Sequence, residues 1–190
     1  CYCLNEKEAY YKHHLTKEDS QLAIEIASQM KYPMALIDEH TMSVNFLNDY
    51  VIKSANYADV PIPRVQDPKA HLGKEIYQVV LYVAESDDSV ILKDMKNIDY
   101  ARWHPNFVDV IPKNASKRQG IIETCRYYGL DLSNCMAFGD GGNDIPMLEV
   151  VGHGVAMGNA SEDVKAIAKE TTLSVDEDGI IHTLKKYHLL

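Results

Sequence analysis

The chain has 190 residues, a length typical of one domain or of one domain with a smaller insert. Apolar residues make up 46% and charged residues 25%, so wholesale disorder, collagen-like repeats and a coiled coil are excluded for most of the chain. Its 28 acidic residues outnumber 19 basic ones, and the net charge of −9 disfavours nucleic acid and anionic membranes as partners. No apolar run approaches the ~18–20 residues that span a bilayer.

The first part of the chain predicts a mixture of strands and helices. Residues 2–11 are typical of a hairpin with a polar turn around Glu6-Lys7, and Thr16 with Asp19 fits the [ST]-x-x-[DE] start of a helix over residues 17–31. The pattern then indicates strands over residues 34–37, 43–47, 75–84, 100–103 and 107–111, helices over 49–58 and 86–95, and a proline-rich loop over 61–68. Adjacent strand pairs of this kind are typical of an α+β unit.

From residue 113 the pattern changes to alternating helices and strands. A helix over residues 116–128 ends at Gly129, which suits the left-handed position after a helix. The expected order continues with a strand over 135–138, a helix over 144–151, a strand over 154–157, a helix over 161–169, a strand over 172–175 and a helix from 179. Short apolar strands in this order predict a parallel sheet covered on both faces.

The loop Gly139-Asp140-Gly141-Gly142-Asn143-Asp144 directly follows one of these strands. Ligands of parallel sheets bind beyond the carboxyl ends of the strands, which places Asp140 at the expected mouth of a site. A dinucleotide fingerprint fails because Asp144 stands where its last glycine would be. Carboxylates suit a phosphate site only with a hard cation between them, such as Mg²⁺. A loop that only caps the next helix remains the alternative.

A second pattern surrounds Lys117, which follows Ser116 at the start of a helix. Ser116 and Gln119 fit a capping box, so Lys117 lies in the first helical turn, where the helix dipole disfavours a cation by a few tenths of a kcal/mol. With the helix N-terminus, the lysine would form an anion-binding corner. A solvated lysine is the alternative. Asn159, in the turn after the strand over 154–157, is expected to hydrogen-bond a neighbour.

Other nucleophiles and metal ligands give weaker patterns. The four cysteines match neither a zinc motif nor a disulfide framework, and we interpret them as reduced thiols of a cytoplasmic protein. The eight histidines have no metal-binding spacing and are interpreted as structural or surface residues. Nothing in the sequence suggests a Ser-His-Asp or Cys-His arrangement. The oligomeric state stays open.

The stretch AFGDGGNDIPML, with Ser116-Lys117 before it and GVAMGNA after it, resembles the haloacid dehalogenase-like (HAD) phosphatases. More narrowly it is similar to their Cof-type (IIB) sugar-phosphate phosphatases. The resemblance implies an α/β fold, with a Rossmann-like parallel-sheet core and an inserted α+β cap. It divides the chain into a remnant of the core over residues 1–15, the cap over 16–112 and the C-terminal part of the core over 113–190.

The resemblance also assigns roles. Asp140 matches the position that binds Mg²⁺, Asn143 and Asp144 match positions that orient the phosphate and support the metal shell, and Lys117 matches the lysine that neutralises the phosphate and holds the nucleophile. The family's nucleophile is the first Asp of a D-x-D motif after the first strand, and no such motif precedes Lys117. We therefore expect roughly 80 residues, or two or three βα units, to be absent upstream.

These implications favour a Mg²⁺-dependent phosphoric monoester hydrolase that acts on small phosphorylated metabolites, in particular sugar phosphates. The reaction would pass through an aspartyl-phosphate that water then hydrolyses. Two alternatives stay open at this point. One is a non-catalytic module that binds phosphate or metal, and the other is a phosphomutase or phosphotransferase on the same core.

Overall fold

The computed structural model describes the backbone of residues 2–5 and 8–190 and the side chains of residues 9–102 and 104–190. The chain forms two compact units, which we call the terminal unit (Cys1–Lys12 and Ser116–Leu190) and the middle unit (His13–Ala115). Within the described residues, no helix combines the length and the apolar character needed to cross a membrane.

The helices and strands follow one another in this order: β1 Tyr2–Asn5, β2 Glu8–Lys12, α1 Lys17–Ser28, β3 Met34–Ile37, β4 Met42–Val44, α2 Asp49–Tyr57, β5 Arg64–Val65, β6 Gln78–Leu81, α3 Glu85–Leu92, β7 Ile98–His104, β8 Phe107–Pro112, α4 Lys117–Tyr128, β9 Met136–Gly139, α5 Ile145–Val150, β10 His153–Ala156, α6 Glu162–Ile167, β11 Glu170–Thr171 and α7 Gly179–Lys186. Short 3₁₀ turns lie at Pro68–His71, Leu132–Asn134, Gly142–Asp144 and Val175–Glu177.

The terminal unit contains the parallel sheet that the alternating pattern predicts. Its strands lie in the order β11-β10-β9, and both neighbouring pairs are parallel. The predicted hairpin is confirmed in the antiparallel pair β1–β2, while its turn at Glu6-Lys7 lies outside the described residues. The core beside the sheet contains Ala137, Leu148, Val151, Ala156, Ala160 and Val164. The mixed α/β fold with a parallel sheet is therefore confirmed.

The last strand lies earlier in the chain than the sequence predicts. β11 covers Glu170–Thr171 rather than residues 172–175. The Thr172 N–H still donates to the Ala156 carbonyl at 2.9 Å, but the Thr172 hydroxyl donates to the Gly179 carbonyl and accepts from Thr183. The chain leaves the sheet there because these side-chain bonds attach it to α7.

The middle unit has a six-stranded sheet in the order β5-β4-β3-β6-β8-β7. Helices α1 and α3 contribute to the larger core on one face, which includes Ile24, Ala27, Leu36, Leu81, Ile91 and Val108. The other face has a smaller core with Val51 of α2, together with Ala35, Val44, Val80, Tyr82 and Phe107. The start of α1 is confirmed, since the Thr16 hydroxyl accepts the Asp19 N–H at 3.1 Å.

Several strand boundaries of this unit differ from the prediction, and hydrogen bonds explain the two largest differences. β6 has four residues instead of ten because its partner β3 offers only Met34–Ile37. β4 ends at Val44 because the Asn45 side chain takes over, accepting from the Met34 N–H and donating to the carbonyls of Ala27 and Tyr32, each at 2.8 Å. The proline-rich loop contains β5, which pairs in parallel with β4.

Candidate active site

The candidate site lies where β9 ends in the terminal unit. Gly139 is the last residue of this strand and Asp140 follows it, with an exposed side chain beyond the carboxyl end of the parallel sheet. The chain then makes the 3₁₀ turn Gly142–Asp144 and enters α5. The loop therefore has the position in which doubly wound folds bind ligands.

The carboxylate of Asp144 holds this loop together. Asp144 is 4% exposed, and its Oδ2 accepts the backbone N–H groups of Asp140 and Gly141, each at 3.1 Å. Its Oδ1 accepts from Nζ of Lys117, whose side chain is half-exposed. One carboxylate thus fixes the backbone of Asp140 and binds the lysine of another helix.

The same contacts determine the protonation state of Asp144. Burial alone would raise the pKa of this carboxyl group, but the hydrogen bonds from Lys117, Gly141 and Asp140 outweigh burial and hold the pKa below its usual value. Asp144 is therefore an anion near neutral pH, and the lysine beside it has a permanent counter-charge.

The position of Lys117 has a local explanation in the start of α4. The Ser116 hydroxyl accepts the Gln119 N–H at 3.2 Å, as the capping pattern predicts. The Gln119 side-chain amide donates to Glu123, one helical turn later, at 3.0 Å. It therefore points along the helix and away from Ser116. A cation in the first helical turn is unfavourable by itself, and the Asp144 carboxylate offsets that cost.

Two glycines of the loop make room for neighbouring side chains. A Cβ at Gly139 would lie 2.5 Å from Cβ of Asp144, and one at Gly141 would lie 2.7 Å from Oδ1 of Asn143. A Cβ at Gly142 would meet nothing within 4 Å. The glycines at 139 and 141 thus allow the loop to fold onto its own polar side chains.

Asn159 connects Asp140 to the segment after β11. Its Nδ2 donates to Oδ2 of Asp140 at 2.9 Å, and its Oδ1 accepts the Val175 N–H at 3.1 Å. The expectation of a hydrogen bond from Asn159 to a neighbour is confirmed. The neighbour is Asp140, the exposed carboxylate of the loop, and the hydrogen bond from Asn159 orients it.

The donor set fits part of a Mg²⁺ shell. Asp140 offers a hard, exposed oxygen ligand, and Mg²⁺ commonly takes only one or two protein carboxylates, with water and phosphate at its other positions. Among the residues with described side chains, no three His, Cys, Asp or Glu groups cluster around a possible metal position. Asp144 already binds Lys117 and the loop backbone, whereas the exposed carboxylate of Asp140 is available to a metal ion.

The four predicted site residues thus lie in one loop and one helix start. The Asp144 carboxylate accepts hydrogen bonds from Lys117 and from the backbone of Asp140, and the exposed residue Asn143 lies in the same turn. The catalytic, substrate-binding and metal-binding roles of these residues stay predictions. Sequence spacing gave no sign that Asp144 would be the shared partner.

The middle unit contains a Ser-His-Asp arrangement, contrary to the expectation from the sequence. Nε2 of His71 lies 2.8 Å from the Ser43 hydroxyl, and Nδ1 lies 3.2 Å from Oδ2 of Asp38. All three residues are buried, with His71 fully inaccessible, so no substrate reaches the serine. Asp38 also accepts from Lys74 at 2.7 Å. This cluster ties β4 to the turn at Pro68–His71 and has a structural role.

Comparison with known proteins extends these observations. Residues 1–184 match the family model of the haloacid dehalogenase-like hydrolases. YkrA of Bacillus subtilis (strain 168) is 33% identical over 186 residues, which cover 97% of this chain and 72% of that protein. The B. subtilis enzyme 5-amino-6-(5-phospho-D-ribitylamino)uracil phosphatase YitU is 35% identical over 133 residues, or 66% of this chain and 49% of YitU.

Solved structures of other proteins are also similar to this chain over its whole length. A structure of the HAD subclass IIB sugar phosphatase BT4131 aligns with a TM-score of 0.81 and 34% identity, covering all of this chain and 73% of the other. A protein from Geobacillus kaustophilus HTA426 aligns with a TM-score of 0.90 and 33% identity, again over all of this chain and 74% of the other.

Proposed function

The chain belongs to the haloacid dehalogenase-like hydrolase family, and we propose that it functions as a Mg²⁺-dependent phosphatase of small phosphorylated metabolites. Sugar phosphates are the proposed substrate class. The observation that carries the proposal is the Asp144 carboxylate, which binds the Lys117 ammonium on one oxygen and the backbone of the Asp140 loop on the other. A fixed cation and an exposed carboxylate suit a phosphate ester with a divalent metal ion.

In this proposal each residue of the site has a separate task. Lys117 neutralises charge on the phosphoryl oxygens, and Asp144 keeps its ammonium group in place. Asn143 donates a hydrogen bond to the phosphate, and Asn159 holds Asp140 in the orientation that binds the metal. When bound, Mg²⁺ supplies further neutralisation of phosphoryl charge.

The proposed chemistry is phosphoryl transfer to an aspartate carboxylate, followed by hydrolysis of the aspartyl-phosphate. Such reactions depend mainly on positioning and on electrostatic stabilisation of the transferring group. The proposal therefore assigns Lys117, Asn143 and Asp140 to charge stabilisation. The middle unit is proposed as the cap that selects the leaving group.

The test is phosphate release by the product of the complete gene from a panel of phosphate esters, with Mg²⁺ and with EDTA. We expect metal-dependent release, and a loss of about a hundredfold or more in kcat/KM for Asp140→Asn and for Lys117→Ala. Glu149→Gln and Lys185→Ala remove comparable charges from exposed positions of the terminal unit and serve as matched controls.

Three results would contradict the proposal. Absence of turnover on every ester, with Mg²⁺ and phosphate still bound, would indicate a binding module. Transfer to added sugars without free phosphate would indicate a phosphotransferase. Activity unchanged in Asp140→Asn would remove the metal site from this loop.

A further inference from the structure

Two cysteines of the terminal unit lie side by side, outside the candidate active site. The sulfur atoms of Cys125 and Cys135 are 3.4 Å apart. Cys125 is buried near the end of α4, and Cys135 is partly exposed, directly before β9. Nothing in the proposed phosphatase chemistry uses either thiol.

The surroundings give the two thiols different reactivity. Burial, reinforced by the neighbouring Cys135, raises the pKa of Cys125, which keeps it protonated and shielded. The Cys135 thiol donates to the Asp131 carbonyl at 3.4 Å, close to the surface of the unit. Cys135 is therefore the thiol that a small oxidant in solution meets first, with Cys125 within reach behind it.

We propose that Cys125 and Cys135 form an oxidation site, at which hydrogen peroxide converts the two thiols into an intramolecular disulfide. The Cys135 sulfur attacks the peroxide oxygen, the O–O bond breaks, and Cys135 becomes a sulfenic acid while water leaves. The Cys125 sulfur then attacks the Cys135 sulfur, forming the S–S bond and releasing a second water. Two thiols are oxidised, and one peroxide is reduced to two waters.

The sulfur atoms are already near each other. A disulfide requires them to approach from 3.4 Å to about 2 Å. The two residues are ten positions apart and lie on either side of Gly129, whose φ of 65° ends α4. The resulting link joins the end of the helix that begins at Lys117 to the start of the strand that leads to Asp140.

The test is a peptide map of the purified protein after treatment with hydrogen peroxide and alkylation of the remaining thiols. Trypsin cleaves after Arg126, so the proposed disulfide joins the peptide of residues 119–126 to that of residues 127–165. We expect mass spectrometry to detect this linked pair at the summed mass of the two reduced peptides minus two hydrogen atoms. We expect dithiothreitol to separate the pair into the two peptides. We also expect the oxidised wild-type protein to melt a few degrees above the reduced protein.

Two variants make the assignment specific. Cys135→Ser removes the linked pair and leaves Cys125 available for alkylation after unfolding. The double variant Cys1→Ser, Cys3→Ser keeps the linked pair, because both of its changed residues lie in the peptide of residues 1–7.

Three outcomes overturn the proposal. The first is oxidation of Cys135 beyond the sulfenic acid with no linked peptide. The second is a link from Cys135 to residues 1–7. The third is a link that appears only in covalent dimers. The measurement on the wild-type protein decides between them even if a variant fails to fold, and it is independent of phosphatase activity.

Discussion

The substitution Asp144→Asn tests the carboxylate that joins Lys117 to the Asp140 loop. In the wild-type protein two backbone N–H groups donate to Oδ2 of Asp144, each at 3.1 Å. Asparagine keeps an oxygen that can accept both hydrogen bonds, but it removes the negative charge of the carboxylate. Hydrogen bonds to a charged acceptor are roughly twice as strong as neutral ones, so weakening two of them costs about 1–2 kcal/mol. The lost ion pair adds only about 0–1 kcal/mol, because the Lys117 side chain is 52% exposed.

We therefore expect Asp144→Asn to lower the free energy of unfolding by about 1–3 kcal/mol at pH 7. Urea denaturation followed by far-UV circular dichroism measures it. Asp140→Asn is the matched control, because this carboxylate is exposed, and we expect its free energy of unfolding to change by no more than about 0.5 kcal/mol.

The effect must also depend on pH. The pKa of Asp144 is lower in the folded protein than in the unfolded chain, so its contribution is complete above the unfolded value of about 3.9. That contribution disappears as the pH falls through the lowered folded pKa. The difference between wild type and Asp144→Asn should shrink as the pH falls from 5 towards 2. Equal stability at pH 7, or a difference that stays constant over this range, would refute the assigned role.

Two other substitutions test packing and buried charge. Gly152→Ala would place a Cβ 1.7 Å from the Ser133 carbonyl oxygen, and we expect this clash to destabilise the protein by about 1–3 kcal/mol. Gly142→Ala is the control, because a Cβ at Gly142 would meet no atom within 4 Å. Equal melting temperatures of the two variants would contradict this expectation. Asp38→Ala leaves the N–H groups of two neighbouring loop residues without their acceptor, and we expect a loss of about 2–4 kcal/mol at pH 7, measured by urea denaturation. Because hydrogen bonds, chiefly from Lys74, lower the Asp38 pKa despite burial, that loss should diminish in acid; a loss that persists there would contradict the argument.

The sequence predicts much of the candidate site because its patterns are local. Asp140 follows a short apolar strand, and Lys117 follows a capping serine; both facts depend only on neighbouring residues. The parallel sheet likewise follows from alternating strands and helices. These predictions need no knowledge of which distant residues come into contact.

The partners of those residues were decided by the tertiary structure alone. Lys117 and Asp144 are 27 positions apart, and Asp140 and Asn159 are 19 apart, so no periodicity of the sequence connects them. The same holds for Ser43 and His71, which are 28 positions apart. Strand ends also escaped prediction, because β6 can be only as long as β3 allows and Asn45 ends β4 through bonds to distant carbonyls. Local residue type determines which element forms, whereas long-range hydrogen bonds determine where it stops and which side chains meet.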